Sequence, residues 1–184
     1  MRDKINIIFI FFFYSALPSM AQIVYTDIVP DTTLIGTVGV VPMYYVDLNN
    51  DGTSDFRVEH LDGGGGSFLV EIYCEHNNAE LMVGINSIVE FASNDSIKST
   101  SSVGAWTCHY TGSGNSAEFV WTGGSNDFYV GLRIKLAGQW HYGWARLNVP
   151  SDLSQVTIKD YAYNSTANQQ ILAGQETTGV HGNS

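Results

Sequence analysis

Phe128-Tyr129-Val130-Gly131-Leu132-Arg133-Ile134-Lys135-Leu136, then Ala137-Gly138, then Gln139-Trp140-His141-Tyr142-Gly143-Trp144-Ala145-Arg146-Leu147-Asn148-Val149, is the stretch that decides the fold. Phe128, Val130, Leu132, Ile134 and Leu136 alternate with Tyr129, Gly131, Arg133 and Lys135, the period of a strand with one face in a core. Ala137-Gly138 is short enough for a two-residue hairpin turn. That turn pairs Ile134 with His141, Leu132 with Gly143, Val130 with Ala145 and Phe128 with Leu147. It sets Trp140, Tyr142, Trp144 and Arg146 on the other face, beside Lys135, Arg133, Gly131 and Tyr129. A register one residue longer would flip the second strand and bury Arg146; the first is preferred because it keeps Leu147 and Val149 inside.

Outward from this hairpin the same signs recur: short alternating segments rich in aromatic and β-branched residues, separated by Gly, Ser, Asn and Asp. Strands are expected at 23–28, 43–46, 56–61, 67–74, 81–85, 105–110, 118–121, 128–136, 139–149 and 156–163. No segment has convincing helical character, and no repeat period appears. The pattern specifies an all-β chain, an antiparallel β-sandwich of jelly-roll type. Asp62-Gly63-Gly64-Gly65-Gly66-Ser67 reads as a flexible connection, and 94–104 as a long mobile loop. Gln175 to Ser184 reads as a flexible tail after a single domain over 22–174.

Asp47-Leu48-Asn49-Asn50-Asp51-Gly52-Thr53-Ser54-Asp55 carries the clearest chemistry. Side-chain oxygens from Asp47, Asn49, Asp51 and Asp55, with the Thr53 carbonyl, fall at alternate positions, and Gly52 permits a tight turn. That spacing suits Ca2+, which takes about 6–8 oxygen ligands. Val58 stands at the twelfth position, where an EF-hand requires a bidentate acid, and strands rather than helices flank the loop. The residues instead match D-x-[DN]-x-D-G-x-x-D and resemble the calcium loops of FG-GAP and integrin-α-type repeats. The competing reading is a metal-free Asx- and Gly-rich turn. Repulsion among three carboxylates within nine residues favours the cation.

Arg2 and Lys4 precede an apolar run from Ile5 to Leu17, and Ser19-Met20-Ala21 supplies small residues before Gln22. Residues 1–21 therefore read as a secretory signal peptide, too short for a membrane span, and the mature domain is expected outside the cytoplasm without a transmembrane segment. The formal charge of −10 becomes one unit more negative once Arg2, Asp3 and Lys4 are removed. Such acidity argues against nucleic acid and against an anionic membrane surface. Cys74 and Cys108 are the only cysteines, and a disulfide is the expectation for an oxidising compartment, with two free thiols as an alternative. Zinc held by Cys74, His76, Cys108 and His109 is disfavoured, because adjacent residues of a strand point to opposite faces.

The face bearing Trp140, Tyr142, Trp144, Tyr129, Arg133 and Arg146 admits two readings. It is either a stacking platform for the rings of an extracellular glycan or cell-surface component, or a second small core beneath a loop. The second is preferred, because large exposed aromatic patches are uncommon. Trp106 and Trp121 read as core residues. Catalytic signals are weak: Gly-x-Ser-x-Gly and His-Glu-x-x-His are both absent. His141 reads as a hydrogen-bonded buried imidazole, and Glu59, Glu71, Glu75 and Glu118 are the carboxylates from which a glycosidase pair would have to come.

His141-Tyr142-Gly143-Trp144-Ala145-Arg146-Leu147, Asp160-Tyr161-Ala162-Tyr163 and Ala173-Gly174-Gln175 together resemble a group of secreted bacterial proteins of unassigned function. The group occurs among PEP-CTERM-type exported proteins and among those with a type IX secretion sorting tail. The likeness implies an exported β-sandwich and no particular activity. Members often continue after the A-G-Q segment into a sorting or anchoring domain. Neither follows here, so release into the periplasm or medium is the expectation. Together these readings describe a secreted, calcium-stabilised, non-catalytic binding or surface-interaction module, with an extracellular glycoside-processing enzyme or a purely structural matrix protein as alternatives.

Overall fold

The computed structural model describes residues 22–84, 87–99, 104–107 and 127–177. Its regular elements are all strands: β1 Ile23–Leu34, β2 Met43–Val46, β3 Phe56–Gly64, β4 Ser67–Cys74, β5 Ala79–Val83 and β6 Glu90–Phe91. After these come β7 Ser96–Ile97, β8 Ala105–Thr107, β9 Asp127–Leu136, β10 Gln139–Asn148, β11 Val156–Asn164 and β12 Ile171–Leu172. A large antiparallel sheet runs β1-β11-β10-β9-β5-β8, with β6 also paired to β9. One of its faces packs on the sheet β2-β3-β4, as expected of a β-sandwich.

The β9–β10 hairpin has the expected register, including Ile134↔His141, Leu132↔Gly143, Val130↔Ala145 and Phe128↔Leu147. Ala137 and Gly138 both have positive φ, 48° and 81°, which matches the twist of a two-residue hairpin. Phe128, Val130, Leu132 and Ile134 bury their side chains with Ala145, Leu147 and Val149. Val58, Val70, Ile72 and Phe56 come down on them from β3 and β4.

The other face of the large sheet carries a second core of Met82, Phe91, Ile97, Tyr142, Trp144, Ala162, Ile171 and Ala173. Its cover comes from β6 and from the two-residue pair β7–β12. Two expectations change here. The described part of 94–104 is docked rather than mobile: Ile97 is fully buried, and Asp95 C=O accepts the Ala173 N–H at 2.9 Å. The glycine run is likewise ordered, since β3 continues to Gly64 and pairs it with Ser67 across a tight turn. β1 is longer than expected because a break between Asp27 and Thr32 lets it resume pairing with β11.

Gly143 sits where a side chain has no room. A Cβ there would lie 2.6 Å from the Ala162 carbonyl oxygen and 3.0 Å from Leu48 Cδ2. Close approach of β10 to β11 and to the start of the 47–55 loop therefore requires glycine at this position.

Candidate metal centre

Residues 47–55 join β2 to β3 and fold on their own side chains. Asp47 Oδ1 accepts the Asp51 N–H at 3.1 Å, and its Oδ2 accepts the Gly52 N–H at 2.7 Å. Asn49 Oδ1 also accepts the Asp51 N–H, at 3.2 Å, and Asp51 Oδ1 accepts from Thr53 at 2.9 Å. Gly52 takes φ 89° at the turn. Asx side chains capturing nearby N–H groups in this way give a compact loop.

Asp55 closes the loop. It is buried, its Oδ2 accepts the Leu48 N–H at 2.7 Å, and its own N–H donates to Val46 C=O at 2.8 Å. His76, just beyond β4, places Nε2 2.9 Å from Asp55 Oδ1. Asn78 N–H donates to His76 Nδ1 at 3.2 Å, which makes Nε2 the protonated nitrogen. Burial raises the Asp55 carboxyl above its ordinary value, against the Leu48 N–H and His76, which lower it. Asp51 is held below its ordinary value by the Asn49 amide and then the Thr53 N–H.

Asn49, Asp51, Thr53, Asp55, His76 and Lys135 border one cavity of about 240 Å³. The donors fit calcium in kind, being uncharged or anionic oxygens in a loop. They are not a closed cage: among the described residues no three His, Cys, Asp or Glu side chains converge as a metal group. His76 is the member that sequence reasoning missed. It lies 21 positions from Asp55 and reaches the loop only because β4 returns beside β3.

The aromatic face is not an open platform. Tyr142 and Trp144 are each 1% exposed, covered by the second core. Trp144 stands opposite Gly131 and packs edge-on to Tyr129, with centroids 5.2 Å apart. A Cβ on Gly131 would meet Phe91 Cε2 at 3.0 Å, so the cover itself presses against this spot. Arg133 is held between the Trp106 and Trp140 rings, 4.7 and 4.1 Å from their centroids, and pairs with Glu80. Arg146 pairs with buried Asp160. The stacking-platform reading of Trp140, Tyr142, Trp144, Tyr129, Arg133 and Arg146 therefore gives way to the second-core reading.

Trp106 packs at the edge of that core, half-buried, and its indole N–H donates to Lys98 C=O at 3.2 Å. His141 is buried with Nδ1 3.0 Å from Asn164 C=O, as its reading required. Cys74 is fully buried in the first core. Cys108, His109, Glu118, Trp121, residues 1–21 and residues 178–184 lie outside the described residues. The Cys74–Cys108 pairing thus rests on the sequence alone, and His76 turns to Asp55 rather than to a zinc set. Comparison with protein-family models, curated proteins and solved structures gives no match.

Proposed function

We propose that this chain is a non-catalytic, calcium-stabilised extracellular β-sandwich that serves as a binding or surface-interaction module. The supporting observation is an uncompensated cluster of charge. Asp47, Asp51 and Asp55 share one loop, and among the described residues only Asp55 has a basic nitrogen within ion-pair distance, that of His76. Each carboxylate already takes backbone N–H groups of the loop, which orients it and leaves lone pairs for a cation. Asn49 Oδ1, the Thr53 carbonyl and water would complete the 6–8 oxygens that calcium takes. Export is supported by the signal-peptide character of residues 1–21 and by the likeness to secreted bacterial proteins. The partner is a cell-surface or matrix component, met elsewhere than on Tyr142 and Trp144, which are buried.

Calorimetric titration of calcium into chelator-stripped protein tests the metal. Heat of binding and a higher melting temperature in calcium are expected for the parent, and neither for Asp51→Ala. Equal melting temperatures of the parent in calcium and in chelator would end the proposal.

One observation favours the enzyme as a second reading. Glu59 and Glu71 are direct cross-strand partners on the outward face of β3 and β4. Arg57 Nε is 2.6 Å from Glu59, and the Tyr73 hydroxyl donates to Glu71 at 2.7 Å. Two carboxylates side by side are the raw material of glycoside hydrolysis. Glu71 is only 3% exposed, which denies a substrate access and ranks this reading second. Release of aryl glycosides by the parent and not by Glu71→Gln would reverse that order.

A further inference from the structure

His60 is fully buried on the core face of β3, and backbone groups engage both of its ring nitrogens. Gly36 N–H donates to Nδ1 at 2.7 Å, and Nε2 lies 2.7 Å from Leu153 C=O. An N–H can only donate and a carbonyl can only accept, so Nδ1 carries the lone pair and Nε2 the proton. Both contacts come from segments that flank the large sheet. Gly36 lies just beyond the end of β1, and Leu153 lies in the connection from β10 to β11. One neutral imidazole on the small sheet thus clasps two flanking segments of the large one.

The clasp is closely fitted. A Cβ on Gly36 would meet His60 C=O at 2.5 Å and Nδ1 at 3.0 Å, so only bare backbone can approach the ring this way. Leu153 takes φ 57°, a conformation rare for leucine, with its N–H bonded back to Pro150 C=O. Phe68 covers the ring, centroids 5.8 Å apart, and Val70 stands opposite it on β4. Ionisable side chains of the surrounding segments are engaged elsewhere. Glu59 pairs with Arg57 at 2.6 Å, and Glu71 accepts from the Tyr73 hydroxyl at 2.7 Å. Asp62 accepts from Gly64 N–H at 2.8 Å, and Asp152 from Ser154 N–H at 3.1 Å. Burial raises the Tyr44 hydroxyl of β2 above its ordinary value and so keeps it neutral, and Gly36 to Pro42 holds no ionisable group. Among the described residues no ion pair to the ring is formed.

We infer that His60 is an acid-released clasp, in which a proton taken up at Nδ1 turns the acceptor of the Gly36 N–H into a second donor and frees the connection from β1 to β2. The proton comes from water, the Gly36 N–H turns to water, and Nε2 keeps its own proton throughout. A buried imidazolium with no anion beside it is disfavoured, so the closed clasp binds one proton fewer than the open one. Closure is therefore fully favoured above the range in which an imidazole in water titrates, about pH 6.5, and weakens as pH falls through it. Opening at about pH 5 should exceed that at about pH 7.5 by up to roughly thirtyfold, the ratio of proton binding by an open imidazole.

Amide hydrogen exchange of the labelled protein in chelator, corrected for the intrinsic pH dependence of exchange, is the test. The protection of the Gly36 amide should fall by roughly ten- to thirtyfold between about pH 7.5 and about pH 5, while the amides of the β9–β10 hairpin keep theirs. Long-range proton–nitrogen correlation at the higher pH should show the His60 ring with its proton on Nε2. His60→Asn offers Gly36 an oxygen acceptor that takes no proton in this range, so protection of Gly36 should cease to follow pH. The two measurements on the parent decide the matter whether or not that variant folds. Constant protection of Gly36 over the range overturns the inference, as does a neutral ring protonated on Nδ1. Equal loss of protection throughout the sheet would also overturn it, and so would a His60→Asn protein whose Gly36 amide follows pH as the parent's does.

Discussion

Replacing Arg146 by leucine tests whether the charged groups of the former platform are scaffold. Asp160 is fully buried and accepts from Arg146 Nε at 2.9 Å, from Arg146 Nη2, and from the Tyr25 hydroxyl at 2.9 Å. A register shift between β10 and β11 sets Asp160 opposite Arg146, with Lys159 as the extra residue. Burial alone would lower the guanidinium's hold on its proton; the hydrogen bond and charge of Asp160 outweigh that and raise it. Removing one member of a buried pair costs about 3–5 kcal/mol, because the other charge is left without compensation. The Arg146 side chain is 30% exposed, so water can enter in its place, and the lower end, about 3 kcal/mol, is the expected loss. At about 2–4 °C per kcal/mol for a chain of this size, the melting temperature should fall by roughly 6–12 °C. Urea unfolding followed by tryptophan fluorescence reads the loss, and Asp160→Asn in the Arg146→Leu background should recover part of it. A single variant within about 0.5 kcal/mol of the parent would refute the reasoning and return Arg146 to the list of groups free to meet a ligand.

Gly143→Ala should be more damaging than Gly131→Ala, although both are small additions on neighbouring strands. At Gly143 the new carbon meets a backbone oxygen at 2.6 Å, whereas at Gly131 it meets the Phe91 ring edge at 3.0 Å, which β6 can yield. Overpacking of about 1–3 kcal/mol is expected at Gly143 and less at Gly131, measured by denaturant unfolding; the opposite order would refute the assignment. Five tyrosines, Tyr25, Tyr44, Tyr73, Tyr161 and Tyr163, have hydroxyls raised above the ordinary phenol value, with burial the leading cause in each. The unfolded chain therefore releases these protons first: stability is unaffected below about pH 10 and falls as pH rises beyond it. Phenolate absorbance should rise together with loss of the strand signal in circular dichroism; full ionisation of these tyrosines with the sheet intact would contradict it.

The hairpin was legible to the register because alternation and turn length are local properties, and β2 and β4 were legible to the residue for the same reason. β6, β7 and β12 were not, since each has two residues and exists only through what it covers. Ile97, alone in a polar stretch and fully buried, was the one local sign of that cover. The aromatic face could not be assigned without it, because the alternation that puts Tyr142 and Trp144 on one face is the same whether that face meets water or a second core. The segments 141–147 and 160–163 are packing elements in this fold. Gly143 admits the Ala162 carbonyl, Arg146 answers Asp160, and Trp144 covers Gly131. In the loop the ligand chemistry was readable from spacing, whereas His76 depended on β4 returning beside β3.

The loop also holds the end of β2. Val46 ends that strand, and its carbonyl accepts the Asp55 N–H; Leu48 is held by the Asp55 carboxylate, and the Asn50 amide donates to Thr26 Oγ1 at 3.0 Å. A cation that draws Asp47, Asp51 and Asp55 together would fix this end, so the backbone amides of β2 should exchange more slowly in calcium than in chelator. Hydrogen exchange followed by mass spectrometry reads the difference. Equal exchange in both solutions would mean that the burial of Val46 and Leu48, each 1% exposed, already holds β2 without help from the metal.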